Sequence, residues 1–488
     1  MTLDEIVANL ESYISKHTRV IKALKRYRAY AENQVGIHHK DKIIRSLRLN
    51  DELTHYIGDN GALYLRQNNR LVPLEGLTIE DVIIEETLPK SSLETLKTYS
   101  IGEKPFIDFE DNDWIKDFEE REEIHSKIKE LVDEMLTTGD SFYKIENIGG
   151  CSQITILYKE EVIVVPDSFN SSRVGAYIYF TVKETVDPLT VSKVNYNYVE
   201  IYMPDGKIYI YTNKDKKEEY SRVKTMKCED VNIGLGEFSL HHIRGLSRVK
   251  NNLYSHSIFK GLGTSLTELV VRKTSNAFLF NKVNNPTLLI GGSSYTAINT
   301  ETGEKEAKIS GKAIPFDEPT EATATRYLEP PTSHTPSIYQ HIEFILDDVY
   351  KQLGVNEISL GISQDGNIAS GEAFKKAITP TLNKCRDIVN CLRKPLTKMY
   401  EQAYYIENKE KISITIKFKD GISLSEKENI ENKSSLINNK ILSRTSILIE
   451  MGFTEEEAKK ELKRIADEDK LLNPVFEMID IPSGRTDE

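Results

Sequence analysis

The densest set of groups able to do chemistry is Asp108, Glu110, Asp111 and Asp113, four carboxylates in one short segment. Converging on divalent cations, such groups activate water against a phosphodiester, as two-metal nucleases do. Here they sit beside Trp114, the only tryptophan, and run on into Glu119, Glu120, Glu122 and Glu123. That pattern also reads as a solvated face leading into a helix, and no nucleophile with its own base accompanies it. Gly261-Leu262-Gly263 resembles the start of a dinucleotide fingerprint, but the third glycine is missing and no strand precedes it. These glycines are instead expected to let two helices approach closely. Nothing matches the phosphate-binding GxxxxGK[ST] loop.

The ten histidines are scattered. His38-His39 and His241-His242 are adjacent pairs, which cannot place both rings on one face of a helix or strand, and HExxH is absent. They read as exposed or hydrogen-bonded loop residues. Cys151, Cys228, Cys385 and Cys391 form no CxxC and read as ordinary buried thiols. The sequence therefore assigns no catalytic residue, no metal ligands and no cofactor, and the expectation is a protein that is not an enzyme.

Stepping outward to composition, 488 residues with 39% hydrophobic and 29% charged content are enough for two to four compact units. No stretch approaches the ~20 apolar residues that span a bilayer, and the acidic start Met1-Thr2-Leu3-Asp4-Glu5 lacks a signal-peptide pattern. A cytosolic product with no membrane partner is expected. The net charge of -12 argues against tight nucleic-acid binding, which needs Lys and Arg near phosphates. It does not argue against a surface past which DNA slides.

Thr2 with Glu5 makes a capping box for a helix carrying Ile6, Val7, Leu10, Tyr13 and Ile14 at helical spacing, with a break or bend near Thr18. Its second half is basic, with Lys16, Arg19, Lys22, Lys25, Arg26 and Arg28, a pattern open to either a solvated face or an arm touching nucleic acid. Residues 35 to 115 are mixed. A helix is predicted from Phe118 to Leu136, then a Tyr-rich antiparallel sheet to about residue 230, with a hairpin at Asp205-Gly206.

From Ile258 the character changes. Ile258, Leu262, Leu266, Leu269, Val270, Ala277 and Phe280 predict a helix that stops at Pro286. Residues 291 to 333 are turn-rich, with strand candidates at 287–290, 307–309 and 313–315. Thr335 and Pro336 open a second helix with one apolar stripe, Ile338, Ile342, Ile345, Leu346, Val349 and Leu353, closed by Gly354. A polar loop with Gly361 and Gly366 leads to a long third helix containing Pro380 and Pro395, each expected to bend it. Ile412 to Phe418 alternates as a strand. Ser443 or Thr445 starts a helix ending at Gly452, and Thr454 with Glu457 caps another over 455–469.

In this order the parts resemble the portal proteins of tailed bacteriophages, especially the siphophage type represented by SPP1. Thr138-Gly139-Asp140-Ser141-Phe142-Tyr143 followed by Ile154-Thr155-Ile156-Leu157 is similar to the family's Gly-Asp-aromatic segment and strand. Gly261 to Leu266 with Asn285-Pro286 resembles its first stem helix, Ala369-Ser370-Gly371-Glu372-Ala373 the start of its long helix, and Leu442 to Glu468 its crown.

The resemblance implies an α+β portal-type architecture: an α/β wing, two stem helices flanking a small β clip, a long kinked helix and a helical C-terminal crown. It places the wing at 1–253, the first stem helix at 254–284, the clip at 285–334 and the second stem helix at 335–354. A tunnel loop follows at 355–369, then the long helix and a wing strand at 370–422, the crown at 423–472 and a flexible tail at 473–488. It implies a homo-oligomeric ring, usually of twelve subunits, at one capsid vertex of a virion assembled in the host bacterial cytoplasm. Double-stranded DNA would pass through without sequence specificity in packaging and ejection. The terminase large subunit, the head–tail adaptor, the major capsid protein and the scaffolding protein would be partners. Ser363, Gln364, Asp365 and Asn367 would face DNA in the tunnel loop. Lys260, Arg272, Lys273 and Lys351 would line the stem channel or pair with acidic neighbours of the next subunit. The alternatives are another head–tail structural protein, such as an adaptor or minor head protein, or a metal-dependent nuclease built on residues 108–113.

Overall fold

The computed structural model describes residues 2–49, 55–57, 62–67, 70–78, 81, 83–186, 193–213, 227–248, 252–284, 287–291, 296–298, 305–307, 313–316, 326–328, 335–362, 371–418, 434, 437, 443–450 and 455–472. The chain divides into two units, Met1–Gly421 and Ile422–Glu488. Helices and small sheets alternate throughout, so the fold is α+β.

Helix α1 (Leu3–Ala31) opens on the expected capping box: Thr2 Oγ1 accepts from the Glu5 amide at 3.4 Å, and the Glu5 carboxylate accepts from the Thr2 amide at 2.9 Å. The break expected near Thr18 does not occur. Thr18 Oγ1 donates to the Ile14 carbonyl at 3.0 Å, so the hydroxyl is satisfied within the helix. Mid-helix, buried His17 sits with Nε2 2.9 Å from the Lys159 carbonyl. Arg28 then forks onto Glu134 at 2.9 Å and Glu160 at 2.5 Å, a bidentate geometry that fixes the helix against its neighbours.

The mixed region resolves into α2 (Val35–His38), α3 (Lys40–Leu49), an antiparallel sheet of β1 (His55–Ile57), β2 (Ala62–Gln67) and β3 (Arg70–Thr78), then α4 (Leu88–Ile101) and β4 (Phe106–Asp108). The single helix expected over 118–136 is two, α5 (Asn112–Arg121) and α6 (Ile124–Thr138). At the reversal Glu123 adopts φ +50°, and buried Glu122 accepts from the Ile154 amide and Lys127 Nζ, both at 2.8 Å. A long-range bond to a strand thus overrides the helical period of 118–136.

The one Tyr-rich sheet expected is also two. Strand β5 (Asp140–Ile148) lies between β6 (Cys151–Leu157) and β12 (Leu240–Arg244). Strands β7 (Val162–Pro166), β8 (Val174–Val186), β9 (Lys193–Tyr202), β10 (Lys207–Asn213) and β11 (Lys227–Asn232) form an antiparallel meander. Its Asp205-Gly206 hairpin is as expected, with Gly206 at φ +83°. The pair β13 (Ser247–Arg248) and β14 (Ser255–His256) follows.

Next come α7 (Gly263–Asn284), the strands β15 (Thr287–Gly291), β16 (Thr296–Ile298), β17 (Lys305–Ala307), β18 (Ala313–Phe316) and β19 (Arg326–Leu328), and then α8 (Thr335–Leu353). The insertion carries a sheet ordered β18-β15-β19 and the β16-β17 hairpin. Helix α9 (Gly371–Asn408) runs 38 residues with both prolines inside it. The strand expected at 412–418 is confined to β20 (Thr415–Lys417), which pairs with β4. In the second unit, α10 (Arg444–Glu450) begins where Ser443 Oγ accepts from the Ser446 amide at 3.1 Å, and α11 (Glu455–Leu472) packs on it. The cap expected at Thr454 lies outside the described residues. Among the described residues no helix is long and apolar enough to cross a membrane.

Candidate channel elements and their anchoring

Helices α7 and α8 pack on each other through one core that contains Leu266, Leu269 and Val270 of the first and Ile342, Ile345, Val349 and Leu353 of the second. The helix expected from Ile258 starts instead at Gly263. Ahead of it Gly261 takes φ +93°, and a Cβ at Gly263 would lie 2.8 Å from the Tyr30 hydroxyl of α1. The glycine pair therefore serves a turn and a close helix approach, as its sequence context suggests.

The face of α8 turned away from this core carries Tyr339, Gln340, Glu343, Phe344 and Asp347. Phe344 is 65% exposed. With Leu346 and Glu357, four of these residues line an acidic depression of about 460 Å³. Of the four cations expected at a stem channel, two are engaged inside the chain. Arg272 pairs with Glu268 one turn earlier at 2.7 Å, and Lys273 with buried Glu86 at 2.7 Å. Lys260 is exposed and bonded to His256, and Lys351 is exposed in the last turn of α8.

The end of α8 is tied to α9 on both sides of Pro380. Gly354 takes φ +69°, and its amide and that of Val355 both reach the Tyr350 carbonyl, at 2.9 and 3.1 Å. Lys384 Nζ donates to the Leu353 carbonyl at 2.5 Å and the Gln352 carbonyl at 3.3 Å, occupying acceptors that the helix end leaves unpaired. Burial pushes Lys384 down to about 8. Asn356 and Ser359 close a turn on each other, and Asn356 Nδ2 donates to the Ala377 carbonyl at 2.7 Å. The turn continues to Gly361 (φ +76°) and Ile362. The expected loop residues Ser363, Gln364, Asp365 and Asn367 lie outside the described residues.

Farther along, α9 is held by buried polar contacts. Tyr143 donates to the Pro395 carbonyl at 2.6 Å, and Tyr400 donates to Glu119 at 2.8 Å. Glu407 gathers the Trp114 indole N–H, Arg121 and the Ser152 amide and hydroxyl within 2.9 Å. His241 Nε2 lies 2.7 Å from Gln402 Oε1, and burial pushes this histidine down to about 4, so it is neutral at pH 7. His241 and His242 are strand residues, not loop residues: they point to opposite faces of β12, stacked on Tyr143 and Phe142. His242 meets Asp140 at 2.8 Å. Lys159 meets the same carboxylate at 2.6 Å, and the Ser255 amide donates to it at 3.0 Å. Burial opposes ionisation of Asp140, but the His242 and Lys159 contacts outweigh it, and its carboxyl sits below the usual range. The preceding Gly139 is at φ +95°, where a Cβ would fall 2.5 Å from the Ser255 carbonyl. The Gly-Asp segment is thus a structural knot.

Two of the carboxylates of 108–113 have separate structural duties. Asp108 pairs with Lys417 across β4 and β20 at 2.8 Å, and Asp111 caps α5 by accepting from the Trp114 amide at 3.1 Å. Among the described residues no three His, Cys, Asp or Glu side chains converge as a metal site. Of the thiols, Cys385 is buried and Cys391 half-buried, but Cys151 is exposed at the start of β6, contrary to expectation.

With α7, the β insertion, α8, α9 and the C-terminal helices in this order, comparison with known proteins becomes informative. Residues 268–474 match the phage portal protein family, SPP1 Gp6-like. The portal match starts inside α7 and takes in the insertion, α8, α9, β20, α10 and α11. It leaves out α1 to α6 and the sheets of β1 to β14. No curated protein matches the chain. Among solved structures, the virion of a native gene transfer agent particle is similar at 10% identity with a TM-score of 0.44, over 76% of this chain and 90% of that chain. The neck of an empty particle, computed with C6 symmetry, gives the same values. The native neck, computed with C12 symmetry, gives 11% and 0.43 over the same shares.

Asn356 and Lys384 were not legible as functional residues. The Asn-x-x-Ser spacing at 356–359 is a local turn signal that could have marked the first. Nothing local marks the second, because its acceptors lie on another helix.

Proposed function

We propose that this chain is the subunit of a phage portal, a ring at one capsid vertex through which double-stranded DNA passes in packaging and ejection. The observation that carries this reading is the portal-family match over the run helix, β insertion, helix, long helix and C-terminal helices. In it, α7 and α8 are the stem, 285–334 is the clip that docks the terminase and later the head–tail adaptor, and 355–369 is the tunnel loop. Residues 423–472 are the crown, and the rest is wing facing the capsid and scaffolding proteins. The role is mechanical, with no catalytic step. A net charge of -12 suits a channel past which DNA slides. A heterologous interface that closes on itself is what such a ring needs.

Imaging the purified full chain by negative-stain microscopy tests this directly: annuli of a single symmetry are expected. A chain that stays monomeric or dimeric at every concentration overturns it. Deleting Gln364 to Asn367 is expected to leave the annulus intact and to impair packaging or retention of DNA. Divalent-metal-dependent DNA cleavage that disappears with Asp111→Ala would establish the nuclease reading instead.

A further inference from the structure

The second half of α1 is unlike the rest of this acidic chain. From Lys16 to Arg28 there is no acidic residue and there are six Lys or Arg. Arg28 is spent on Glu134 and Glu160. At 100° per residue, Arg19, Lys22 and Arg26 fall on the arc opposite the buried His17 and Leu24, with Lys16 and Lys25 at its two edges. Lys16, Arg19, Lys22 and Lys25 are exposed, and among the described residues none of the four forms an ion pair. Arg26 lies over the Tyr27 ring at 5.1 Å, with its Nε buried and unbonded among the described residues. On the neighbouring turn, burial first and then His38, Lys42 and Arg26 push His39 down to about 4.

We infer that this face of α1, Lys16 to Arg26, binds the phosphodiester backbone of double-stranded DNA. It lies outside the residues that match the portal family. Ten residues of helix rise about 15 Å, enough for a row of cations to follow several phosphates. A single-stranded ligand would call for open aromatic platforms, whereas the Tyr27 ring is covered by Arg26. A membrane surface would call for a free apolar face, whereas Ile6, Leu10 and Leu24 are buried in the protein. What remains on offer is charge without base readout, which fits a duplex bound regardless of sequence.

The test uses the full chain, a fluorescent 30-base-pair duplex as probe, and anisotropy titrations across a salt series. Wild type is compared with the quadruple variant Lys16→Gln, Arg19→Gln, Lys22→Gln, Lys25→Gln. A control neutralises four other exposed cations, Lys90, Lys116, Arg393 and Lys394. Circular dichroism and thermal melting establish that both variants fold. The α1 variant is expected to bind at least about tenfold more weakly near 0.1 M salt, and to lose about 3 to 4 from the slope of log K against log salt, with the control close to wild type. Equal losses in variant and control would reduce the effect to net charge and overturn the site. So would unchanged DNA affinity, including the case in which the variant instead loses self-assembly because the face meets an acidic surface of a second copy. Binding is read whether or not the chain forms rings, so failure here leaves the portal reading standing, and the reverse.

Discussion

The two ends of α9 are held by different physics. Its early turns, besides burying Ile378, Thr381 and Cys385, meet the end of α8 through side-chain donors on backbone carbonyls, Asn356 on Ala377 and Lys384 on Leu353. Its later turns are sunk in the core, where Leu396, Met399, Tyr400 and Ala403 are fully buried and Tyr400 meets Phe118 edge-on. Bonds of the first kind are worth about 1 kcal/mol each and can be exchanged for water. Burial of the second kind has no such substitute. The contrast assigns adjustability to the α8–α9 contact beside the proposed tunnel loop and rigidity to the end beside the β5–β12 sheet.

Three perturbations would break or sharpen this contrast. The largest effect is expected from Tyr400→Ala, which removes a fully buried ring and one of the donors to buried Glu119, leaving Lys104 on it: a loss of about 3–5 kcal/mol in denaturant unfolding. A loss below 1 kcal/mol would dissolve the distinction. Acid should act through the same end. His241 has its folded value depressed to about 4 from 6.5, so between those values the unfolded chain binds the extra proton and stability rises with pH. Moving from pH 7 to pH 4 should therefore remove about 3 kcal/mol through this residue, and His241→Gln should flatten that part of the pH profile. The smallest effect belongs to Asn356→Ala, about 1 kcal/mol, with hydrogen-exchange protection lost at 354–362 and retained around 396–403. Protection lost equally at both ends would mean that α9 opens as one unit.

Much of the proposed channel region was legible because its signals are local. Pro336 at the start of α8, its apolar stripe and Gly354 at its end mark that helix without reference to anything else, and Asp205-Gly206 marks its hairpin. The misreadings share a cause. A break was expected near Thr18, yet the Thr18 hydroxyl bonds Ile14 and the helix continues. The 118–136 helix looked continuous because its period is unbroken, yet Glu122 is claimed by Ile154 on a strand 32 residues away. His241 and His242 looked like loop residues because nothing nearby shows that β12 pairs with β5.

Periodicity, caps and turn residues, which depend on neighbours within a few positions, determined by themselves the succession of helix, β insertion, helix and long helix. They also determined the uninterrupted cationic run of α1, since charge is written in the residues. Which cations stay free was decided only by tertiary structure. Arg28 and Lys273 find carboxylates on distant elements while, among the described residues, Lys16, Arg19, Lys22 and Lys25 do not, because an ion pair needs two groups within about 4 Å and only the folded chain sets that distance.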